Sequence, residues 1–371
     1  MAKILVTGGA GFIGSHLVDL LVKKGNEVVI LDNLDPQVHP SSKEPVYLNK
    51  EAAFIKGDVR TAKDIAKAID GCEVVFHEAA AVGVGQSMYQ INHYTDVSVR
   101  GTAMLWDYIV NNDVPIKKFV VAASMSSYGE GLYECPSCGL LEPSLRSEKQ
   151  MKKGDWEVKC PSCKSIVKKV PTPETKTQHC NSVYALNKKD QEEMSLIIGK
   201  TYGIPTVALR YFNVFGTRQS LSNPYTGVAA IFLSRVKNNN NPVVYEDGNQ
   251  TRDFVSVYDV ANANFQVMKS SNADYQVLNV GSGVPISISE VAETIIELHN
   301  SDVKVEITNK FRKGDIRHCF ADNSKIKSKL KWKPTISFKE GLKEIIEWSA
   351  SVEATDKFEE ATKELRDKGL I

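Results

Sequence analysis

The sequence predicts an α/β fold with a doubly wound parallel sheet, a smaller mixed α/β domain after it and a cysteine-bearing insertion within it. Three observations carry this reading. Short apolar runs alternate with helical patterns through the first half of the chain, as they do in repeated βαβ units. A glycine-rich turn follows the first apolar run and opens the first helical stretch. Between about 129 and 178 the alternation gives way to Cys, Pro, Gly and Lys, and a long helical stretch then resumes.

Taken in order, Ile4–Thr7, Glu27–Asp32, Phe54–Asp58, Val74–His77 and Lys118–Ala123 read as buried strands, with amphipathic segments near 14–24, 61–70 and 92–112 between them. Ser182–Tyr202 reads as a helix and Thr206–Arg210 as a further strand, followed by mixed elements up to about 335. The domains expected are 1–128 with 179–216 for a dinucleotide, 129–178 for the insertion, and 217–350 mostly for substrate, with segments returning to the first. The tail, 351–371, is charged but carries Phe358, Leu365 and Leu370, and reads as a docked or frayed helix.

Composition narrows the function. Of 371 residues, 42% are hydrophobic and 25% charged, and 46 Lys/Arg against 45 Asp/Glu leave a formal charge of +1. That is globular, with no global field for nucleic acid or an anionic membrane, so an anionic ligand must be held by local charges. No apolar run has the length of a membrane span, and no signal-peptide pattern precedes the first strand. A cytoplasmic protein is therefore expected, with its seven cysteines reduced and their spacing read as metal or chance before disulfide.

Thr7-Gly8-Gly9-Ala10-Gly11-Phe12-Ile13-Gly14 lies between a predicted strand and a predicted helix. Gly8 permits the tight turn, Gly11 lets backbone N–H groups approach a pyrophosphate, and Gly14 allows close helix–strand packing, the Rossmann arrangement. Asp32 ends the second strand, where a carboxylate accepts hydrogen bonds from ribose hydroxyls and would repel the 2′-phosphate of NADP. NAD is the expected cofactor. Asp58 and Val59 end the third strand and stand where adenine would lie; a helix cap is the other reading of Asp58.

Tyr184 and Lys188 stand four apart on the predicted helix, hence on one face. For a tyrosine to act as a base near neutrality its pKa must fall by roughly 3 units from about 10, and a neighbouring ammonium pushes that way. The serine-rich turn Ser124-Met125-Ser126-Ser127-Tyr128-Gly129 ends the strand at 118–123, and ligands bind outside the carboxyl ends of such strands. Ser124 is thus the expected partner of a substrate hydroxyl.

The glycine turn, His77-Glu78-Ala79-Ala80, the Ser-x-x-x-Tyr-Gly turn and Tyr-x-x-x-Lys together resemble the extended short-chain dehydrogenase/reductases that act on nucleotide sugars. The resemblance covers nearly the whole chain outside the insertion. It adds Phe12, Ile13, Asn33, Ala79 and Ala80 to the cofactor set. Arg210-Tyr211-Phe212-Asn213-Val214-Phe215-Gly216, Arg252-Asp253-Phe254-Val255 and Arg312-Lys313-Gly314-Asp315 resemble the family's substrate segments. Ser126, Asn213, Arg252 and Arg312 are expected to bind substrate on that ground, and the position matching Cys319 borders the family's sugar pocket. A guanidinium suits the task, since it meets phosphate oxygens with paired, charge-assisted hydrogen bonds. The family likeness also implies a homodimer through helices near 92–112 and 182–202.

The family's dehydratases carry an Asp-Glu pair where this chain has Met125 and Ser126, and its decarboxylases a Glu where Ser126 stands. Oxidation followed by re-reduction remains, and the reading is 4-epimerisation of a dTDP- or UDP-linked hexose through a 4-keto sugar. The likeness is to dTDP-L-rhamnose 4-epimerases, on Val82–Tyr89, or to UDP-hexose 4-epimerases. Ser98 in place of the family's usual Asn, and Val82 in place of the Lys of UDP-galactose epimerases, are departures. Alternatives are a dehydratase or net reductase of the same family and, in another class, an NAD-sensing zinc-ribbon binding protein.

Cys135-Pro-Ser-Cys138 and Cys160-Pro-Ser-Cys163 form two knuckles within the insertion. Four thiolates so spaced can close a tetrahedral Zn²⁺ shell, which leaves no open position and makes the metal structural. The segment Ser144–Val170 holds eight Lys/Arg and three Asp/Glu; a solvated face or subunit contact is expected there rather than nucleic acid.

Overall fold

The computed structural model describes all 371 residues. Its first half runs β1 (Lys3–Thr7), α1 (Phe12–Lys23), β2 (Glu27–Asp32), β3 (Ala53–Lys56), α2 (Ala62–Ile69) and β4 (Val74–His77), close to the predicted pattern. The segment expected near 92–112 is helical throughout: α4 (Ile91–Thr95) runs into α5 (Gly101–Asn111) through a π-helical turn at Asp96–Arg100, preceded by the short α3 (Val84–Ser87). Such a turn usually marks a local demand on the backbone. Here Asp96 accepts from Arg60 at 2.7 Å, and a Cβ at Gly101 would stand 2.7 Å from Val59.

β5 (Lys118–Ser124) leads into the insertion, whose β6 (Leu132–Cys135), β7 (Gly139–Leu141), α6 (Glu148–Met151) and β8 (Lys168–Val170) include an antiparallel sheet of order β7-β6-β8. α7 (Val183–Thr201) follows, started by Ser182, whose side chain accepts from the Ala185 N–H, an N-cap that satisfies one orphan donor. Then come β9 (Thr206–Tyr211), β10 (Asn213–Phe215), α8 (Val228–Lys237), β11 (Val243–Val244), β12 (Thr251–Ser256), α9 (Val257–Lys269), β13 (Val277–Val280), β14 (Pro285–Ser287) and α10 (Ile288–His299). β15 (Glu306–Ile307), β16 (His318–Cys319), α11 (Ser324–Leu330), α12 (Phe338–Ser349) and α13 (Phe358–Asp367) complete the chain.

Seven parallel strands form the main sheet in the order β13-β9-β5-β4-β1-β2-β3. Its order reverses between β1 and β4, the switch point outside which such sheets bind ligands. One face is covered by α1, α9 and α11 around Leu17, Val18, Val260, Val267 and Ile326, the other by α2, α5 and α7 around Ile65, Leu105 and Trp106. Burying each such side chain stabilises the fold by about 1.5–3 kcal/mol. A third apolar core joins α8, α10 and α12 to β12 and β14. Residues of β13, α9 and α11 belong to the first core. The tail helix α13 is docked, with Ala361 and Leu365 buried. No helix is long and apolar enough to cross a membrane.

Candidate active site

A cavity of about 680 Å³ opens at the carboxyl ends of β1, β2, β4, β5 and β9. Every residue expected to hold cofactor lines it, as do Ser124, Ser126, Asn213, Arg252 and Arg312.

At one end lies the glycine turn. Gly8 has φ +68°, and a Cβ there would meet the Ala79 backbone N at 2.8 Å; one on Gly14 would stand 2.2 Å from the Gly8 carbonyl oxygen. The loop therefore passes where side chains cannot. Gly11 is the N-cap of α1 and supplies no side-chain hydrogen bond, which leaves first-turn N–H groups, at the positive end of the helix dipole, for an anion. Asp32 accepts from the Ala10 N–H at 3.0 Å and the Leu34 N–H at 2.9 Å. Its two oxygens have about four acceptor sites in all, so it braces the loop and still has sites for ribose hydroxyls. These features fit a dinucleotide. Asp58 caps no helix: it accepts from Asn33 at 3.1 Å and from Arg60 at 2.8 and 2.6 Å. Burial pushes its carboxyl up, but these donors outweigh that and bring it to about 2. Arg60 is in turn occupied by Asp58 and Asp96, so the nearby guanidinium is not free for a 2′-phosphate.

The middle of the cavity holds Ser124, Tyr184 and Lys188. Ser124 ends β5 and caps the turn Met125–Tyr128, accepting from the Ser126 N–H at 3.2 Å and the Ser126 hydroxyl at 2.9 Å. Tyr184 sits in the first turn of α7, where its N–H donates to Ser87 Oγ at 3.0 Å. Burial raises the Tyr184 phenol above its ordinary value, and Ser124 pulls it down. Lys188 follows one turn later on α7. Its ammonium donates to the Ala122 carbonyl at 2.8 Å, while burial pushes it down to about 8 against the opposing pull of Glu78.

Glu78 had no role assigned from the sequence. Its carboxyl is pushed up to about 7 by burial, opposed by Tyr211 and Lys188. The Tyr211 hydroxyl donates to it at 2.8 Å and itself accepts from Asn264 at 2.7 Å. His77 is structural: it bridges Thr7 at 2.8 Å and Thr102 at 2.9 Å, and burial holds it neutral with a pKa of about 3.

At the far end, Asn213 lines the cavity, and its buried Oδ1 has no hydrogen-bond partner within the protein. The Arg252 guanidinium is braced by the carbonyls of Thr251, Ile316 and Arg317 at 2.9, 2.8 and 3.1 Å. Arg312 pairs with Asp315 at 2.9 Å and lies over the Tyr245 ring at 5.0 Å. Neither Tyr245 nor the tail residues Phe358, Leu365 and Leu370, which also line the cavity, announce themselves in the sequence as ligand contacts.

Cys319 corrects one expectation. It does not border the cavity but is buried behind it with Met125, Tyr128 and Phe212, because the pairing of β16 with β12 turns its thiol towards the Thr172 hydroxyl, 3.8 Å away. Burial pushes that thiol up to about 12.

The cysteine knuckles lie apart from the cavity. The sulfurs of Cys135, Cys138, Cys160 and Cys163 lie within 4.8 Å of one another. A tetrahedral Zn²⁺ with bonds of about 2.3 Å has sulfurs about 3.8 Å apart, so the quartet fits that ion.

Comparison with known proteins agrees with this geometry. Residues 4–146 match the NAD dependent epimerase/dehydratase family and residues 166–345 the GDP-mannose 4,6 dehydratase model. A dTDP-L-rhamnose 4-epimerase of Burkholderia thailandensis is 33% identical, over 94% of this chain and 95% of that protein. A UDP-glucose 4-epimerase of Thermotoga maritima, solved with UDP-glucose, superposes with a TM-score of 0.77 at 30% identity, covering 94% of this chain and 98% of that one. The Thermus thermophilus UDP-glucose 4-epimerase, solved with NAD, superposes with a TM-score of 0.73 at 27% identity, over 95% of this chain and all of that one (100%). With the glycine turn, the Ser-Tyr-Lys group and the match running nearly end to end, the chain belongs to the NAD-dependent epimerase/dehydratase family.

Proposed function

We propose that this enzyme is a nucleotide-sugar 4-epimerase that inverts C4 of a dTDP- or UDP-linked hexose through a 4-keto sugar. The observation that carries the reading is the turn after β5: Ser124, Tyr184 and Lys188 meet in one cavity with the arginines, while Met125 and Ser126 put no carboxylate on that turn. Elimination and decarboxylation therefore lack the extra acid or base the family uses there.

In this reading, NAD bound along the glycine turn supplies a hydride acceptor that returns the hydride in the same cycle. Tyr184 takes the proton of the C4 hydroxyl and later returns it, acting as a positioned general base and acid. Ser124 hydrogen-bonds that hydroxyl and lowers the phenol. Lys188 holds a ribose hydroxyl and adds positive charge, and the charged cofactor adds more. Arg252 and Arg312 hold the diphosphate and Asn213 the sugar or nucleotide donor facing it. The keto sugar turns over before hydride returns to its other face.

Incubation with dTDP-L-rhamnose, UDP-glucose or UDP-galactose, without added NAD, should give the C4 epimer by NMR. Steady accumulation of NADH in step with product, or no inversion of any of the three, would remove the reading.

We also infer that the cysteine quartet holds a structural Zn²⁺ and that the chain forms a homodimer through α7. Leu186 and Ile197 support the latter, since both are exposed and about three turns apart on one helix face. Sedimentation of an Ile197→Glu variant as a monomer, against a wild-type dimer, is the expected result.

A further inference from the structure

The insertion grips the loop that carries the arginine clamp. Arg146, between β7 and α6, is buried; it donates to Glu246 at 2.8 Å from each of two nitrogens, to the Trp156 carbonyl at 2.9 Å and to the Asp315 carbonyl at 3.3 Å. Arg317 is fully buried and reaches Glu157 of the insertion at 2.6 Å, Glu246 at 2.9 Å and Asp247 at 2.7 Å. Glu130, just ahead of β6, accepts from the backbone N–H groups of Arg317 at 2.9 Å and His318 at 2.8 Å and from the Tyr133 hydroxyl at 2.5 Å. Two backbone bonds complete the seam, Gly131 N–H to the His318 carbonyl at 2.9 Å and Thr172 N–H to the Phe320 carbonyl at 2.8 Å. On the opposite side of this strip, the carbonyls of Ile316 and Arg317 brace Arg252, and Arg312 opens the same loop.

The insertion has little else to hold its own shape. Its apolar core is Tyr133, Cys135, Val158, Cys160 and Val167, so two of its five members are cysteines of the quartet. A core that small needs a staple, and metal binding then becomes part of its folding. Cys135 ends the strand that follows Glu130, and Cys160 comes three residues after Glu157. Closing the quartet fixes both carboxylates relative to Arg317.

We propose that the zinc-closed ribbon is the buttress of the diphosphate clamp: Glu130, Arg146 and Glu157 act as positioning residues that hold the 312–319 loop, and through it Arg252 and Arg312, in the geometry that binds a nucleoside diphosphate. The proposal rests on the reading of Arg252 and Arg312 as that clamp. A buried guanidinium shared among carboxylates keeps its place only while its partners remain, so loosening the ribbon displaces the clamp without reaching the glycine turn.

The test is calorimetric titration of the full chain with UDP and with dTDP, alongside zinc content and the NAD retained on purification. Wild type should hold one zinc and bind at least one of the two nucleotides. Cys138→Ser with Cys163→Ser alters the two exposed ligands; it should lose zinc, keep NAD, and weaken nucleotide binding roughly ten- to a hundredfold, with kcat at saturating substrate little changed. Glu157→Gln retains the quartet and should keep zinc while weakening binding in the same sense, which decides the matter if the double variant does not fold. Nucleotide binding within about twofold of wild type in the zinc-free protein, or in Glu157→Gln, would overturn the buttress. Wild type that holds no zinc would overturn it too. Wild type that binds neither nucleotide would overturn the clamp reading and this proposal together.

Discussion

The two ends of the cavity are built from different material. The cofactor end is mostly backbone: a loop at 8–14 in which Gly8 and Gly14 leave no room for a Cβ, braced by one carboxylate at 32. The end we propose for substrate is made of side chains brought from the β5 turn, from Asn213, from Tyr245 and Arg252, from the loop at 312–316 and from the tail. A surface defined by backbone fails at once when a methyl is added. One assembled from separate side chains should weaken by increments as each is removed.

Gly14→Val breaks this contrast most directly. Its Cβ would stand 2.2 Å from the Gly8 carbonyl oxygen and 2.8 Å from Gly9 Cα, atoms of the backbone that cannot turn aside. Overpacking typically costs about 1–3 kcal/mol, and here the strain falls on the loop itself. We expect protein that releases no NAD on denaturation and melts at lower temperature; wild-type NAD content would show that the loop is not the rigid element described. Tyr184→Phe comes next. It should retain NAD and fold while turnover falls by about 10²–10⁴-fold, and activity within a few-fold of wild type would take the proton transfer away from this residue. Arg312→Ala tests the increments. Loss of a charge-assisted contact worth about 1.5–3 kcal/mol should raise KM by roughly 10- to 150-fold with kcat little affected; an equal fall in kcat would place Arg312 in the chemical step instead.

The same contrast explains what the sequence could disclose. The sheet, the glycine turn, Asp32, the Tyr184–Lys188 pair and the cysteine quartet are local patterns whose geometry follows from spacing along one strand, helix or knuckle. Arg252, Arg312 and Asn213 enter only through family likeness, since nothing local distinguishes an arginine that lines a cavity from one on the surface. Cys319 was misplaced because a two-residue strand decides which way its side chain faces, and that depends on pairing with β12. Glu78 lies within His77-Glu78-Ala79-Ala80, but its hydrogen bond comes from Tyr211, which is distant in sequence. The π-turn within the helix at 92–112 likewise meets Val59 and Arg60, which come from another loop.

Glu78 sharpens the comparison at the boundary between the two ends. Burial pushes Lys188 down, and with the opposing pull of the Glu78 carboxylate the ammonium stands at about 8. Lys188 is charged below that value and neutral above it. In Glu78→Gln the raising influence is gone, so Lys188 loses its proton at lower pH, and the alkaline limb of the kcat profile should move to lower pH while NAD content stays the same. An unmoved limb would mean that Lys188 charge does not govern turnover in that range.

The smallest effect is expected at the tail, the part of the substrate end least legible in sequence. Glu364 of α13 accepts from the hydroxyls of Tyr89 at 2.8 Å and Tyr225 at 2.5 Å, and Arg235 lies over Phe358 at 4.4 Å. Leu365 packs on Gly85, where a Cβ would come within 3.1 Å of its side chain. The Lys313 N–H donates to the Leu370 carbonyl at 3.0 Å. The tail thus ties the loop at 83–89 and the region around 225 to the loop that carries Arg312, without touching the glycine turn. Glu364→Ala removes two hydrogen bonds to a carboxylate at an exposed position, where each is worth about 1 kcal/mol or less. The expected result is a rise in KM of about three- to tenfold, with kcat and NAD content unchanged. A KM equal to that of wild type would mean that the helix is only a cover, whereas loss of NAD would mean that the two ends are less independent than their construction implies.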